Sequence, residues 1–472
     1  MKILRISRKW IVLLALLFLR MHQIGSSFDQ TGIPDKDKIE ITAQDRILIL
    51  APHPDDEVLG CAGIIQQAVA FKLPIEIVFF TNGDNNELSF ILYRKRPVLI
   101  PKAVQNMGLI RQKEAIEAAS VLGLSSEQLI FLGYPDFGSL SIWIKHWAGS
   151  PPFRSMLTKA NKVPYKSAFR YGASYKGEEI LKDLQNVLKT FQPTRIFVSH
   201  PADTNPDHRA LYFFLKVAIW NLDQEMNPEI YPYLIHYPRW PRQKGFYPSL
   251  SLTPPTQLQD NMVWRIFHLD PSLIQKKRQA LKEHKTQYEY SAKYLQSFIR
   301  NNELFGDYEE IKAIAIVSEQ LFSGESEDQT VFPENLIGEE REKYIGLLER
   351  SICVKNQQLI LTIRLSKPLM EPVEVSVYIF GYKWDRAFGE MPKLHVRFGI
   401  TGYSVYDQDR KLSQKKVIVK RTSNKIVIQI PLVELGDPDK VLTSARSYLK
   451  QVPLDWMSWR IIQITNSLLK KS

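Results

Sequence analysis

Two short stretches gather side chains that can do chemistry together. The first, Ala51-Pro52-His53-Pro54-Asp55-Asp56-Glu57, sets one imidazole beside three acids, and the second, His200-Pro201-Ala202-Asp203-Thr204-Asn205-Pro206-Asp207-His208, holds two more imidazoles and two more acids. The spacing of His53 and Asp56 lets a turn that wraps onto a helix start present one nitrogen and one oxygen to a common point. His208 can supply a third ligand. Two histidines and one carboxylate with an open fourth position make a catalytic zinc arrangement. Asp55, adjacent to a ligand but pointing elsewhere, is then free to act as a base. Taken singly, each residue has a plainer use. Asp55, Asp56 and Glu57 suit a helix cap and its dipole, and either histidine suits a hydrogen-bonded core position. The occurrence of both clusters at the ends of apolar strands favours the metal site.

Those strands are part of an alternation of short β-branched runs with longer helical ones, the pattern of a parallel sheet covered by helices. Strands are expected at 46–51, 75–81, 129–132, 194–199, 231–235 and 263–269, with helical segments near 57–71, 109–122, 177–190, 207–219 and 271–300. The strands are nearly all apolar, as when both faces of a sheet are buried. The expected fold is a doubly wound, mostly parallel, Rossmann-like α/β sheet, and the carboxyl edge of such a sheet is where ligands bind. From about Leu359 the pattern becomes residue-by-residue alternation, as in Leu359–Leu365, Val373–Ile379, His395–Phe398 and Lys425–Ile430, which predicts a C-terminal β-sandwich. The domains expected are 42–322 for catalysis, a linker at 323–345 and the sandwich at 346–472.

Composition sets the outer limits. With 472 residues, 44% hydrophobic and 24% charged, the chain is an ordinary globular one of two or three domains. The net charge of +12 includes Lys2, Arg5, Arg8, Lys9 and Arg20, which leaves +7 for everything else. The longest basic cluster, Arg94 to Arg96, is short, so no nucleic-acid partner is expected. Cys61 and Cys353 form neither a disulfide framework nor a zinc site. A cationic start, the apolar run Trp10 to Leu19 and the polar exit Gly25-Ser26-Ser27 follow the order of a secretory signal. Residues 1–27 are therefore expected to be a signal peptide or an N-terminal anchor. The protein would be exported, to the periplasm or beyond the cell, with membrane proximity only through that segment.

Several further motifs occur in a fixed order. They are Thr81-Asn82-Gly83-Asp84, Arg111 with Glu114 and Ala118 ahead of Leu122-Gly123, Phe131-Leu132-Gly133-Tyr134-Pro135-Asp136, and Pro206-Asp207-His208-Arg209. Together with Pro-His-Pro-Asp-Asp-Glu at 52–57, they make the sequence resemble the PIG-L/LmbE-like zinc-dependent de-N-acetylases over about residues 42–320. Lys282 to Gln287 and Asn302 to Phe305 resemble that family's closing helical segment. The resemblance implies that His53, Asp56 and His208 bind zinc and that Asp55 is the general base that later protonates the leaving amine. It also implies that Arg111 and Asp136 contact substrate. The substrate would be the acetamide of an N-acetylglucosamine-type sugar, cleaved to acetate and a free amine. Where some members carry a histidine to steady the tetrahedral intermediate, this sequence has Asn205, which can donate a hydrogen bond but carries no charge. His200 is the preferred stand-in for that histidine, ahead of His236. The loops 86–107 and 139–175, with Trp143 and Trp147, are expected to overhang the rim and touch sugar. Among the C-terminal aromatics, Tyr382, Trp384 and the Trp456 to Trp459 stretch offer glycan contacts, and core packing is the simpler use for their tryptophans. The rivals are a zinc hydrolase of another amide or ester on this scaffold and a glycan-binding protein without turnover. The intact Asp55 argues against the second.

Overall fold

The computed structural model describes residues 37–85, 100–222, 225–260, 262–313, 320–323 and 336–464. The expected signal or anchor at 1–27, the 86–99 stretch with its basic cluster, and part of the expected linker lie outside the described residues.

The first sheet has seven strands: β1 (Ile47–Ala51), β2 (Ile75–Thr81), β3 (Leu129–Tyr134), β4 (Arg195–Ser199), β5 (Glu229–Tyr233), β6 (Val263–His268) and β7 (Asn302–Asp307). Their spatial order is β3-β2-β1-β4-β5-β7-β6. The first five pair in parallel, and β7 runs antiparallel to both β5 and β6. Helices α1 (Asp56–Ala70), α2 (Pro101–Leu122), α3 (Ser139–Lys145), α4 (Gly177–Phe191) and α5 (Pro206–Trp220) fall among the strands. The uniformly apolar β1 serves two cores. Ile47, Ile49 and Ala51 pack with α1 and α2, while Leu48 and Leu50 pack with α4 and α5. Strand order reverses between β1 and β4, the switch point at which an open α/β sheet leaves a crevice.

Two expectations in this region are revised. The single helix at 271–300 is two, α6 (Pro271–Glu283) and α7 (Lys285–Leu295), broken at His284. The break is held by burial of polar groups: His284 Nε2 lies 2.9 Å from Glu57 Oε1, and Thr286 donates from its backbone N–H and its hydroxyl to Glu114. Asn302–Phe305, read as helical, is strand β7, and Glu303 reaches from it to accept hydrogen bonds from Gly63 N, Ile64 N and Lys277 Nζ.

The chain then builds β8 (Ile311–Ala313), β9 (Gln320–Ser323), a short helix α8 (Gly338–Glu342), and strands β10 (Leu347–Lys355), β11 (Gln358–Leu365), β12 (Val373–Tyr382), β13 (Lys393–Phe398), β14 (Tyr403–Asp407), β15 (Arg410–Leu412), β16 (Ile418–Arg421), β17 (Lys425–Pro431), β18 (Lys440–Leu449) and β19 (Val452–Ile464). They form a five-stranded sheet, β16-β17-β11-β10-β9, and a seven-stranded sheet, β15-β14-β13-β12-β18-β19-β8. Alternate residues of both sheets meet in one apolar cluster, Leu361, Ile363 and Ile428 from one and Val375, Val377 and Val441 from the other. Buried Arg350 of β10 donates to the carbonyls of Thr443 and Ser458 in the larger sheet. Strand β8 lies inside the span expected for the catalytic domain, yet it pairs with β19.

The other face of the larger sheet is covered by the α/β unit. Tyr378, Phe380, Leu442 and Trp459 share a core with Trp143, Trp147, Phe213 and Phe214. Trp143 and Trp147 are fully buried there, so they are interface residues and not the sugar-facing rim residues expected from the sequence. Apolar area favours this outcome, since two indoles bury far more surface against a sheet than at a wet rim. Among the described residues no helix is long and apolar enough to cross a membrane.

Candidate metal centre and active site

His53, Asp56 and His208 converge where β1 and β4 end. His53 Nδ1 lies 3.3 Å from Asp56 Oδ2, His208 Nε2 lies 3.1 Å from the same oxygen, and the two ring nitrogens are 3.3 Å apart. Three donors at such spacings occupy three corners of a tetrahedron whose centre is about 2.0 Å from each, the bond length of zinc to nitrogen and oxygen. The residues therefore fit the metal that their types suggest, and all three are buried.

The outer faces of the two rings are held by carboxylates, as metal-binding imidazoles usually are. His208 Nδ1 lies 3.0 Å from Asp203 Oδ2. Asp203 is fixed in turn by the backbone N–H groups of Asn205, Ile235 and His236. His53 Nε2 lies 3.0 Å from Asp136 Oδ1 and 3.2 Å from Asp207 Oδ2. Asp207 also accepts from the backbone N–H of Phe137 and Ser139 and from the Ser139 hydroxyl. Burial pulls the His208 ring down, but Asp203 and Asp56 outweigh it and hold the ring at about 9. Burial would raise Asp56, yet His208 and His53 hold it well below the carboxylate range. The field that keeps a proton on these rings is one that receives a cation. Asp203 and Asp207, which the sequence shows only as parts of the second motif, are thus the partners of the outer ring nitrogens. Their spacing before His208 carried the signal.

Asp55 has φ 121° and ψ −27°, a backbone state rare for a residue with a side chain, and such strain gathers at functional sites. It stands at the N-cap of α1 but makes no side-chain cap hydrogen bond. The capping alternative is thereby set aside. Its backbone N–H donates to Glu57 Oε2, which is braced by His284. Burial pushes the Asp55 carboxyl up to about 7, against the Arg111 guanidinium, whose Nη2 is 3.8 Å away. Arg111 is pinned by the carbonyls of Gly83 and Pro54. Gly83 has φ +65°, and a Cβ there would lie 2.0 Å from Arg111 Nη1, so the Thr-Asn-Gly-Asp turn needs its glycine.

A cavity of about 190 Å³ adjoins these groups, lined by His53, Asp55, Asp56, Arg111, Asp136 and Asn205 together with His236, Gln287 and Tyr294. Asp136 reaches it as a buried side chain that also accepts from Asn85 N, 2.9 Å away. Asn205 caps α5, its side-chain oxygen accepting from Asp207 N at 2.9 Å. The structure does not bring His200 here. That ring stacks on Trp264 with centroids 5.9 Å apart, accepts from Ala202 N, and is lowered by burial to about 3. Of the two candidates it is His236 that lines the cavity, 4.9 Å from the His208 ring centroid and stacked on Tyr294. The preference for His200 fails for a geometric reason: it directly follows β4 and turns into the core, whereas His236 follows β5 by three residues and clears the sheet edge. Tyr294, on α7, carried no sequence signal of its own.

Residues 48–219 match the family described as PIG-L: GlcNAc-PI de-N-acetylase. The chain thus carries a PIG-L family domain over those residues, the domain of an amide-cleaving de-N-acetylase hydrolase. Among curated proteins no sequence match was found. Solved structures similar to this chain include the N,N'-diacetylchitobiose deacetylase from Pyrococcus horikoshii, at 20% identity and TM-score 0.34, covering 65% of this chain and 94% of that one. The A40926 pseudoaglycone deacetylase Dbv21 matches at 15% identity and TM-score 0.36, over 56% and 97% of the two chains. GalB, the 4-carboxy-2-hydroxymuconate hydratase from Pseudomonas putida KT2440, matches at 16% identity and TM-score 0.32, over 58% and 100%. At such scores the overlaps bear no weight for what this chain acts on.

Proposed function

We propose that the protein is an exported, zinc-dependent de-N-acetylase that hydrolyses the acetamide of an N-acetylglucosamine-type sugar to acetate and a free amine. The observation that carries the reading is the set of three ligand atoms 3.1–3.3 Å apart beside a strained, buried Asp55 that caps nothing. Bound there, zinc supplies a polarised carbonyl and a water that ionises near neutrality. The chain's own residues do the rest. Asp55 takes the proton of the attacking water and returns it to the departing nitrogen, a task suited to a carboxyl whose affinity for protons is near that of the medium. Arg111, 3.8 Å from Asp55, opposes the upward push of burial on that carboxyl. His236 and the Asn205 amide flank the cavity, where a donor to the developing oxyanion is worth about a hundredfold or more in rate. Asp136, Asp203 and Asp207 keep the two ligand rings turned inward.

Export rests on the amino-terminal sequence, and the two C-terminal sheets with their shared core are read as the sandwich. Acetate release from a panel of N-acetylglucosamine compounds, with and without a chelator, tests the function. Release that is chelator-sensitive and restored by zinc is expected. No release from any member, by zinc-loaded protein, would overturn the reading.

A further inference from the structure

A cavity of about 940 Å³ lies apart from the catalytic one. It lies between the end of α5 and the start of β5 on one side and the larger C-terminal sheet on the other. The catalytic residues sit at the opposite end of the same helix: His208 and Trp220 are twelve residues apart, or about 18 Å along α5. A disaccharide cannot touch both places.

The cleft is built from polar and aromatic groups. Trp384, in the turn after β12, is 69% exposed, and the turn is pinned by a 3.0 Å hydrogen bond from its backbone N–H to Asp439 Oδ2. Behind it, Tyr382 and Trp220 are in contact, with ring centroids 4.9 Å apart. An exposed indole on a fixed turn is a flat apolar platform, and the axial C–H face of a pyranose is its natural complement. The charges select among sugars. Both lysines of the cleft, Lys216 and Lys440, are paired to Glu310 at 3.0 and 3.1 Å. Glu225, Asp307 and Asp439 also line it. The excess of carboxylates disfavours phosphate and uronate and favours neutral or cationic amino sugars.

We propose that this cleft is a second glycan-binding site, which holds an amino-sugar oligomer against Trp384 while another part of the same polymer is processed at the metal centre. The inference rests on the amino-sugar reading of that centre and extends it to a polymeric substrate. A polymer attached at the cleft is presented to the active site at raised local concentration.

The test uses full-length Asp55→Asn protein, whose turnover is expected to be at least about a hundredfold slower, titrated calorimetrically with the N-acetylglucosamine dimer, the hexamer and the fully deacetylated hexamer. Adding Trp384→Ala is expected to weaken both hexamers about tenfold, the worth of one aromatic contact, and to leave the dimer unchanged. Trp384→Phe should restore most of the hexamer affinity. In the active protein, Trp384→Ala should raise KM for the hexamer without changing kcat, and leave dimer turnover as it was. Hexamers that do not bind, or that bind equally with and without Trp384, would overturn the proposal. Absence of acetate release with Trp384-dependent hexamer binding would instead fault the catalytic reading and leave the cleft standing.

Discussion

The division of labour between adjacent aspartates is open to direct test. Asp56 turns inward to the ligand cluster, and Asp55, one residue earlier, is held by its positive φ against Arg111. His53→Ala, Asp56→Ala and His208→Ala should each lose bound zinc, whereas Asp55→Asn should keep it and lose at least about a hundredfold in turnover. Metal analysis beside acetate assays separates the two outcomes, and equal zinc in all four proteins would dismantle the site. Asp203→Ala, which unseats the outer nitrogen of His208, should weaken zinc by about 10–100-fold with the fold intact. Arg111 opposes the upward push of burial on Asp55, so Arg111→Gln should move the rise of kcat/KM with pH to higher pH by about one unit or more. An unmoved profile would mean that Asp55 is not the base. Ligands were legible because each motif places them at fixed spacing after an apolar strand. Donors were less so, because which of His200 and His236 faces the cavity depends on a turn of two or three residues at a strand end.

Elements were legible where pattern and burial agree. β1 through β4 read as apolar runs because both faces of the sheet are covered. β7 did not, because buried polar Asn302 and Glu303 interrupt its apolar pattern, and their hydrogen bonds to other elements are invisible in sequence. The break between α6 and α7 was hidden for the same reason. A third buried polar group, Lys393 at the start of β13, joins the two units. Its Nζ donates to the carbonyls of Phe388 and Met391 and sits over the Trp147 and Phe388 rings. Burial pulls its ammonium down to about 7, against Asp407 and Glu178. The folded value is thus below the unfolded one of about 10.4, so the stability it contributes is full above the latter and is lost as pH falls toward the former. Compared with Lys393→Met, the parent should gain of order 1 kcal/mol per pH unit between pH 7 and about 9. Denaturant melts at several pH values measure it. A pH-independent difference would show that the ammonium stays charged in the fold.

At the scale of the molecule, the α/β unit and the C-terminal sheets are joined by a continuous aromatic core, in which Trp143 lies 5.3 Å from Phe388 and 5.9 Å from Trp459, centroid to centroid. Alternation in the sequence marked the strands but could not say that the larger sheet buries both faces. A chain ending at residue 322 would leave Trp143, Phe213 and Phe214 uncovered. It should aggregate on size-exclusion chromatography and melt well below the parent, and a monodisperse fragment with the parent's melting temperature would show that the interface is dispensable.

Helix α5 belongs to both halves of this arrangement, since Asn205 and His208 stand at its first turn while Phe213 and Phe214 lie in the aromatic core. The chain consequently has no seam along which it can open and leave the ligand set intact. Zinc added at 100 times its dissociation constant should contribute about 2.7 kcal/mol to the whole chain. Calorimetry should therefore record one endotherm that moves as a unit when the ion is stripped, so that strands far from the chelated atom melt earlier because of it.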